Sequence, residues 1–380
     1  MARIADPEEA QANDVVAARH QKYLEPCLQS GAGLIMLPAD AKLPELPGLP
    51  NRLNPPALLR VTDTELAWER LLSAFAPVLE RSPEIDSSAS VHPSAVIGAN
   101  VHIAAHVTVA KDARIGAGSI IMAGSFIGEG SSLGMDCQVH PNVTIQHHVH
   151  LGDRVLVQAG AVIGADGFGF RRTSEHQHVR LPHIGTVIIE DDVEIGANSV
   201  IDRATIGETR VGARSKLGAS CIVAHNSMLG QDVLLIGAVQ MGGSTILEDR
   251  VTLLGQVGVA GHLRIGANST VAAQSGVSKS LPANGTFRGS PARPANEFAR
   301  TEARVRDLER LRERVQTLET TNQVSNPPTD PSSSDPSSTS GPSKLEALMA
   351  RVLELERKLE GQLQPESGTQ PLKEAPQGQQ

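Results

Sequence analysis

Aromatic residues are nearly absent: six Phe, one Trp and one Tyr make up 2% of 380 residues. A globular core usually draws much of its buried area from such rings, so a large conventional core is excluded. Cysteine is as scarce. Cys27, Cys137 and Cys221 are far apart and odd in number, which excludes a disulfide framework and a zinc ribbon. A basic excess is missing too, since the formal charge is -8, so a broadly basic nucleic-acid binder is excluded. No apolar run approaches the ~20 residues of a transmembrane segment. The opening MARIADPEEAQANDVV has no basic stretch followed by an apolar one, so secretion is not expected and a cytoplasmic location is.

What is present is aliphatic and regular. Hydrophobic residues reach 40% and glycines number 35. From Val91 to Ile163 every sixth residue is Val, Ile or Leu; Ile189, Ile195 and Ile201 resume the pattern, and after a slip at 202–210 it runs from Val211 to Val277. A period of six is neither helical nor simple strand alternation. Its solution is a parallel β-helix in which each hexad forms one flat side and the aliphatic residue points inward. Three hexads make one coil, giving about nine coils. The strict six-residue phase favours the left-handed form over a right-handed one. Small residues at the next position, such as Gly98, Gly116, Gly134 and Gly152, are expected to let the chain turn each corner. Cys137 and Cys221 occupy small-residue positions of the same repeat and are expected to be packed inside.

The fold expected is mainly β: a left-handed parallel β-helix with a small α/β N-terminal domain and C-terminal helices. The α/β domain spans 1–87. Within it QKYLEPCLQSGAGLIMLPAD reads as a short helix, a turn and a strand, 41–56 as a loop and 65–80 as an amphipathic helix. The solenoid spans 88–285, with a long insertion at 165–186 that carries Phe168, Phe170, Arg171, Arg172 and three histidines. A long insertion in a regular solenoid is usually a functional loop. A C-terminal helix is expected over 286–320, with Leu308, Leu311, Val315 and Leu318 at 3-4-3 spacing. A Ser/Pro-rich linker at 321–343, a second coiled-coil-like helix at 344–363 and a disordered tail at 364–380 complete the chain.

ADGFGFRR (165–172), LPHIGTVIIEDDVEIGANSVIDR (181–203), AHN (224–226), GQVGVAGHLRIG (255–266) and GSPARPANEF (289–298), in this order, resemble the UDP-3-O-acylglucosamine N-acyltransferases. The resemblance covers roughly residues 15–318. It implies a trimeric left-handed β-helix enzyme of lipid A synthesis. Such an enzyme moves a 3-hydroxyacyl chain from acyl carrier protein to the 2-amine of a UDP-3-O-acylglucosamine. No cofactor is implied beyond the carrier's phosphopantetheine, and no metal. The sequence departs from the family at several places. Tyr23 matches a uracil-binding tyrosine, but its aromatic partner is Ala17; Gly218 and Ala219 replace an Asp-Asn pair; and Ala204 follows IDR where the family has Gly. The amino domain is expected to be shortened.

The residues fit acyl transfer. Amide formation from a thioester needs a base for the amine and donors for the developing oxyanion. His225 lies two residues past the inward Val223, where a side chain faces outward at a coil edge. His262 follows 37 residues later, two coils and one residue on, hence ~10 Å away along the axis. The resemblance makes His225 the general base, the amide of Gly243 an oxyanion donor, and His262 an aid to substrate or carrier. It extends the substrate and carrier set to Tyr23, Phe168, Phe170, Asp202, Arg203, Asn226 and Arg293. Eight arginines between Arg288 and Arg314 against five acids suit an acidic carrier protein. Three alternatives stay open: an acyl- or acetyltransferase for another amino-sugar nucleotide, a non-catalytic trimeric scaffold, and a zinc site using His178 and His183.

Overall fold

The computed structural model describes residues 3–44, 55–76 and 83–325, with side chains through residue 318. The segments read as second helix and tail lie outside the described residues, as do most of the 41–56 loop and of the linker. Contacts divide the chain into Met1–Glu302 and Ala303–Gln380.

The N-terminal residues build a parallel sheet in the order β1 (Val15–Ala17), β2 (Leu34–Pro38) and β3 (Ala57–Val61). Helix α1 (Leu24–Gln29) buries Leu24, Cys27 and Leu28 against Val16, Ile35 and Leu37. Helix α2 (Thr64–Phe75) starts where the Asp63 carboxylate accepts the Leu66 N–H at 2.9 Å, a cap that satisfies one orphan donor. It ends at Phe75 with Ala76 as its cap at φ -60, ψ 136, the extended geometry that a following proline, Pro77, imposes; residues 77–80 of the expected helix lie outside the described residues.

From Ser90 the chain winds into a left-handed parallel β-helix with three flat faces of ten, nine and eleven strands. In the regular coils each strand pairs with the one 18 residues on, as in Ile127 with Ile145. The sixth-residue positions from Ile103 to Val277 are all buried and form one column-like core. Two residues before each stands a second inward position, held by Val, Ala, Ser, Thr or Cys, and before Ile265 by the partly buried Leu263. Its serines are not orphaned. Ser119 Oγ donates to the Gly134 carbonyl at 3.0 Å and accepts the Cys137 N–H at 3.0 Å, so one hydroxyl ties successive coils. Cys137 and Cys221 are fully buried and free, and burial pushes the Cys137 thiol up to about 11.

One expectation about the coils is corrected. Gly98, Gly116, Gly134 and Gly152 are not the residues that turn the corners. A Cβ on Gly116 would stand 2.3 Å from the Gly134 carbonyl oxygen, so these glycines permit neighbouring coils to approach. The left-handed conformation lies two residues later, at Asn100, Gly118, Asp136, Arg154 and their equivalents; Asn and Asp tolerate it through short polar side chains. At the corner between the second and third faces, some of these residues form ion pairs. Arg154 grips Asp192 with bonds of 2.6 and 2.8 Å, and Arg214 grips Asp232 with two of 2.8 Å. Phe126 points outward at 37% exposure, and the ring inside the column is Phe287, at its end.

The C-terminal boundary also moves. Residues 286–294 are not helical: Thr286–Arg288 continues the third face and pairs antiparallel with Arg293–Pro294. Helix α3 (Ala295–Arg306) follows, then α4 (Leu308–Ser325), separated at Asp307. Thus Thr321–Ser325, read as linker, are helical. In α4, Leu308, Leu311, Val315 and Leu318 are exposed.

Candidate active site

Both irregularities of the repeat leave the solenoid at one corner, between the first and second faces. The insertion emerges after the strand Val162–Asp166 and returns at Thr186–Ile189; the slip lies between Val200–Arg203 and Glu208–Val211. Register is kept across both, since Leu151 still pairs with Ile189 and Val200 with Ile222. The insertion is a projecting arm: Phe170–Arg172 pairs antiparallel with His178–Arg180. His225 occupies the next copy of this corner, directly after the slip.

Three hydrogen bonds fix Asn226, which adopts the left-handed conformation at φ 60. Its Nδ2 donates to the Ile206 carbonyl at 2.9 Å, its Oδ1 accepts the Thr205 N–H at 3.0 Å, and its own N–H goes to Thr209 Oγ1 at 2.8 Å. With the amide orientation so determined, Oδ1 faces His225 Nδ1 at 3.1 Å and requires that nitrogen to carry a proton. Nε2 is left as the basic nitrogen. Asn226, assigned to substrate or carrier from the sequence, therefore holds the His225 ring in one tautomer.

The other end of the ring lies over Gly243. A Cβ there would stand 2.6 Å from both Cε1 and Nε2 of His225, so any side chain at 243 would displace the imidazole. At the corner between the second and third faces the corresponding amides are taken by carboxylates, as Gln231 N–H is by Asp249 at 2.9 Å. The Gly243 amide has no protein acceptor among the described residues. His262 donates its backbone N–H to the Gly243 carbonyl at 2.9 Å, so it stands in the same corner one coil beyond Gly243, with an exposed side chain.

Asp202 is half-buried beside this group. Burial raises its carboxyl to about 6, the His225 charge pulls it back, and neighbouring Asp166 raises it further. Arg203 is corrected outright. The resemblance puts it in the substrate and carrier set, but it is 1% exposed. Its Nε donates to the Gly164 carbonyl at 2.7 Å, Nη1 to Gly185 O at 3.3 Å and to His147 Nε2 at 2.7 Å, and Nη2 to His147 O at 2.8 Å. The guanidinium thus pins both ends of the arm to the coil below. Arg203 lies two residues past the inward Ile201, as His225 does past Val223, but the strand Val200–Arg203 runs on to it where Ile222–Val223 ends before the corner.

The remaining expected residues are dispersed. Phe168 and Phe170 stack on each other at 5.0 Å on the exposed side of the arm, Phe168 at 87% exposure. The glycines between them touch the site: a Cβ on Gly167 would meet His225 and His183, and one on Gly169 would meet His183. Tyr23 is in the α/β domain, exposed, with Lys22 Nζ 4.7 Å above its ring. Arg293 belongs to the terminal hairpin, where it and Arg288 lie over the Phe298 ring at 6.0 and 5.5 Å. Gly218 and Ala219 sit at the corner between the third and first faces, and a Cβ on Gly218 would stand 2.6 Å from Gly237 N. The residue not assigned to this site from sequence is His183, whose ring meets His225 at 5.3 Å. It had been read only as a zinc candidate. Among the described residues, no group of three or more His, Cys, Asp or Glu is placed to hold a metal, and no helix is long and apolar enough to cross a membrane.

Comparison with known proteins agrees with this architecture. The sequence model of the GMPPB C-terminal domain family matches residues 80–165. UDP-3-O-acylglucosamine N-acyltransferase of Wolinella succinogenes is 39% identical over 171 residues, 45% of this chain and 54% of that one. Its counterpart in Methylobacterium nodulans is 43% identical over 161 residues, 42% of this chain and 46% of the relative. The chain thus spans about half the length of the curated relatives it matches. The solved UDP-N-acetylglucosamine acyltransferase of Arabidopsis superposes with TM-score 0.51 at 21% identity, over 73% of this chain and 92% of that one, a likeness of fold. The chain is a left-handed hexapeptide-repeat β-helix protein that resembles the UDP-3-O-acylglucosamine N-acyltransferases.

Proposed function

We propose that this protein is an N-acyltransferase that moves a 3-hydroxyacyl chain from acyl carrier protein to the 2-amine of a UDP-3-O-acylglucosamine, as in lipid A biosynthesis. The observation that carries the reading is the His225 imidazole, held by Asn226 with Nε2 basic and placed over Gly243. The acceptor amine attacks the thioester carbonyl carbon and forms the C–N bond. His225 Nε2 takes the N–H proton that the amine must shed, and the Gly243 N–H donates to the oxyanion. Collapse breaks the C–S bond, and the departing thiolate of the carrier's phosphopantetheine takes the proton from His225. Amide and free thiol are the products. No other cofactor enters.

His262 lies along the same corner and is available to substrate or carrier. Arg288, Arg293 and Arg300 near the end of the solenoid suit an acidic carrier protein. We infer a homotrimer from the family resemblance, and Phe168, Ile184 and Ile206 at this corner, 69–87% exposed, are apolar surface that a subunit interface would cover. A cytoplasmic location is supported by three free thiols.

The deciding experiment offers acyl carrier protein and coenzyme A thioesters to the purified protein against several UDP-amino sugars. Amide formation from the carrier thioester on UDP-3-O-acylglucosamine is expected. Transfer only from coenzyme A, or only to another sugar, would replace the assigned donor or acceptor.

A further inference from the structure

Among the described residues, two buried side-chain nitrogens lack a hydrogen bond, and one of them is His183 Nε2. A buried acceptor without a partner is costly to keep and calls for a reason. The ring is only 5% exposed. Its Nδ1 faces the Leu181 carbonyl at 3.1 Å and must donate to it, so Nε2 carries the lone pair and is the negative end of the ring dipole. The ring meets His225 edge to face, with centroids 5.3 Å apart at 71°. The point where a Cβ on Gly167 would stand is 2.8 Å from His225 Cδ2 and 2.9 Å from His183 Nε2. A Cβ on Gly169 would stand 2.6 Å from His183 Cε1. The base of the arm is therefore cut to admit this ring beside His225.

We propose that His183 is a positioning residue for His225: its ring fixes the tilt of the base over Gly243, and its buried Nε2 supports the positive charge that His225 carries after taking a proton. Once His225 holds protons on both nitrogens, that charge spreads over the whole ring, including the Cδ2 edge beside which the His183 lone pair lies. Charge–dipole attraction between this buried lone pair and the neighbouring ring favours the proton on His225. The surrounding charged groups are Asp202, Asp166 with its partner Arg180, Arg203 behind the arm, and His262 farther along the corner. All of them are retained in the variants below. The kinetic half of this proposal rests on the acyl-transfer reading; the electrostatic half does not.

The test compares His183→Leu and His183→Gln with the unaltered protein. In His183→Leu, kcat should fall on the order of tenfold with little change in the acceptor KM, as expected when a reacting group is mispositioned, and the acid limb of the pH–rate profile should move to lower pH because the base is weakened. His183→Gln can still donate to Leu181 O and turn an amide oxygen toward His225, so it should recover most of the rate and return the limb. A loss of rate with the limb unmoved, or equal loss in both variants, would make His183 a packing residue and overturn the proposal. The same proteins are titrated by nitrogen-15 histidine NMR, following His225. There the His225 transition should move to lower pH in His183→Leu, and an unmoved transition overturns the proposal even if no acyl transfer is found. Absent transfer with a moved transition overturns the assigned reaction alone. If His183→Leu does not fold, His183→Gln against the unaltered protein carries both readouts: a rate or transition that collapses in spite of its amide oxygen rejects the charge-supporting role.

Discussion

One side-chain amide decides which nitrogen of His225 is basic. A base in this position contributes ~10²–10⁴-fold, so His225→Ala should lower turnover by about that factor. Because the ring lies outside the packed column, the melting point should change by less than the equivalent of roughly 0.5 kcal/mol. Turnover and melting measured on one preparation check both; an active variant refutes the assigned base. Asn226→Asp keeps an acceptor for Nδ1 but loses the donor to Ile206, and should retain more activity than Asn226→Leu in the same assay. Asp202 gives a pH signature. Its carboxyl titrates near 3.8 unfolded and about 6 folded, chiefly through burial. A raised folded value means the protonated form is favoured by folding, so that contribution is complete below pH ~4 and lost as pH rises through 6. Asp202→Asn should therefore gain in melting temperature over the unaltered protein between pH 4 and 6 and hold that gain above it. A constant difference at all pH values would contradict the assignment.

The arm is an element whose attachment depends on one buried charge. Replacing Arg203 by Met leaves the Gly164, Gly185 and His147 carbonyls without their donor, at about 1–3 kcal/mol for each group left buried and unpaired. The arm should then open more often, and trypsin should cut after Arg171, Arg172 or Arg180 faster than in the unaltered protein. Equal cleavage rates would show that the hairpin holds itself. This element also marks the boundary of what the sequence tells. The inward residues from Val91 to Val277 are legible because a steric requirement recurs every six positions, and the AHN motif is legible because its neighbours match a family. His183 is not, since an aperiodic arm carries no spacing that links residue 183 to residue 225. The role of Gly116 and its equivalents is half legible: the demand for smallness shows, but its cause is backbone approach between coils, whereas the corner conformation is carried by Asn, Asp, His and Arg two residues on. The hairpin at 286–294 is missed because two strands so short leave no periodic trace.

At the scale of the molecule, one corner gathers exposed apolar residues that a monomer has no evident use for. Phe168, Ile184 and Ile206 are 87%, 78% and 69% exposed. Light scattering should give the mass of three chains at micromolar concentration, and a charged substitution such as Ile206→Asp should lower that mass while the far-ultraviolet dichroism stays unchanged. A monomer mass for the unaltered protein would end the trimer reading.

The seat of Arg203 has a consequence in time. Its guanidinium joins His147, Gly164 and Gly185, which arrive 56, 39 and 18 residues before it along the chain. A ribosome delivers the coils through Ile163, and then the whole arm, before the residue that fastens them. Until residue 203 has emerged the hairpin has no anchor, and until residue 225 follows His183 has no ring to lean on. The corner around His225 thus acquires its shape only after the coils before it have been wound. A chain stalled before residue 203 can wind a sound wall of coils and still lack this corner.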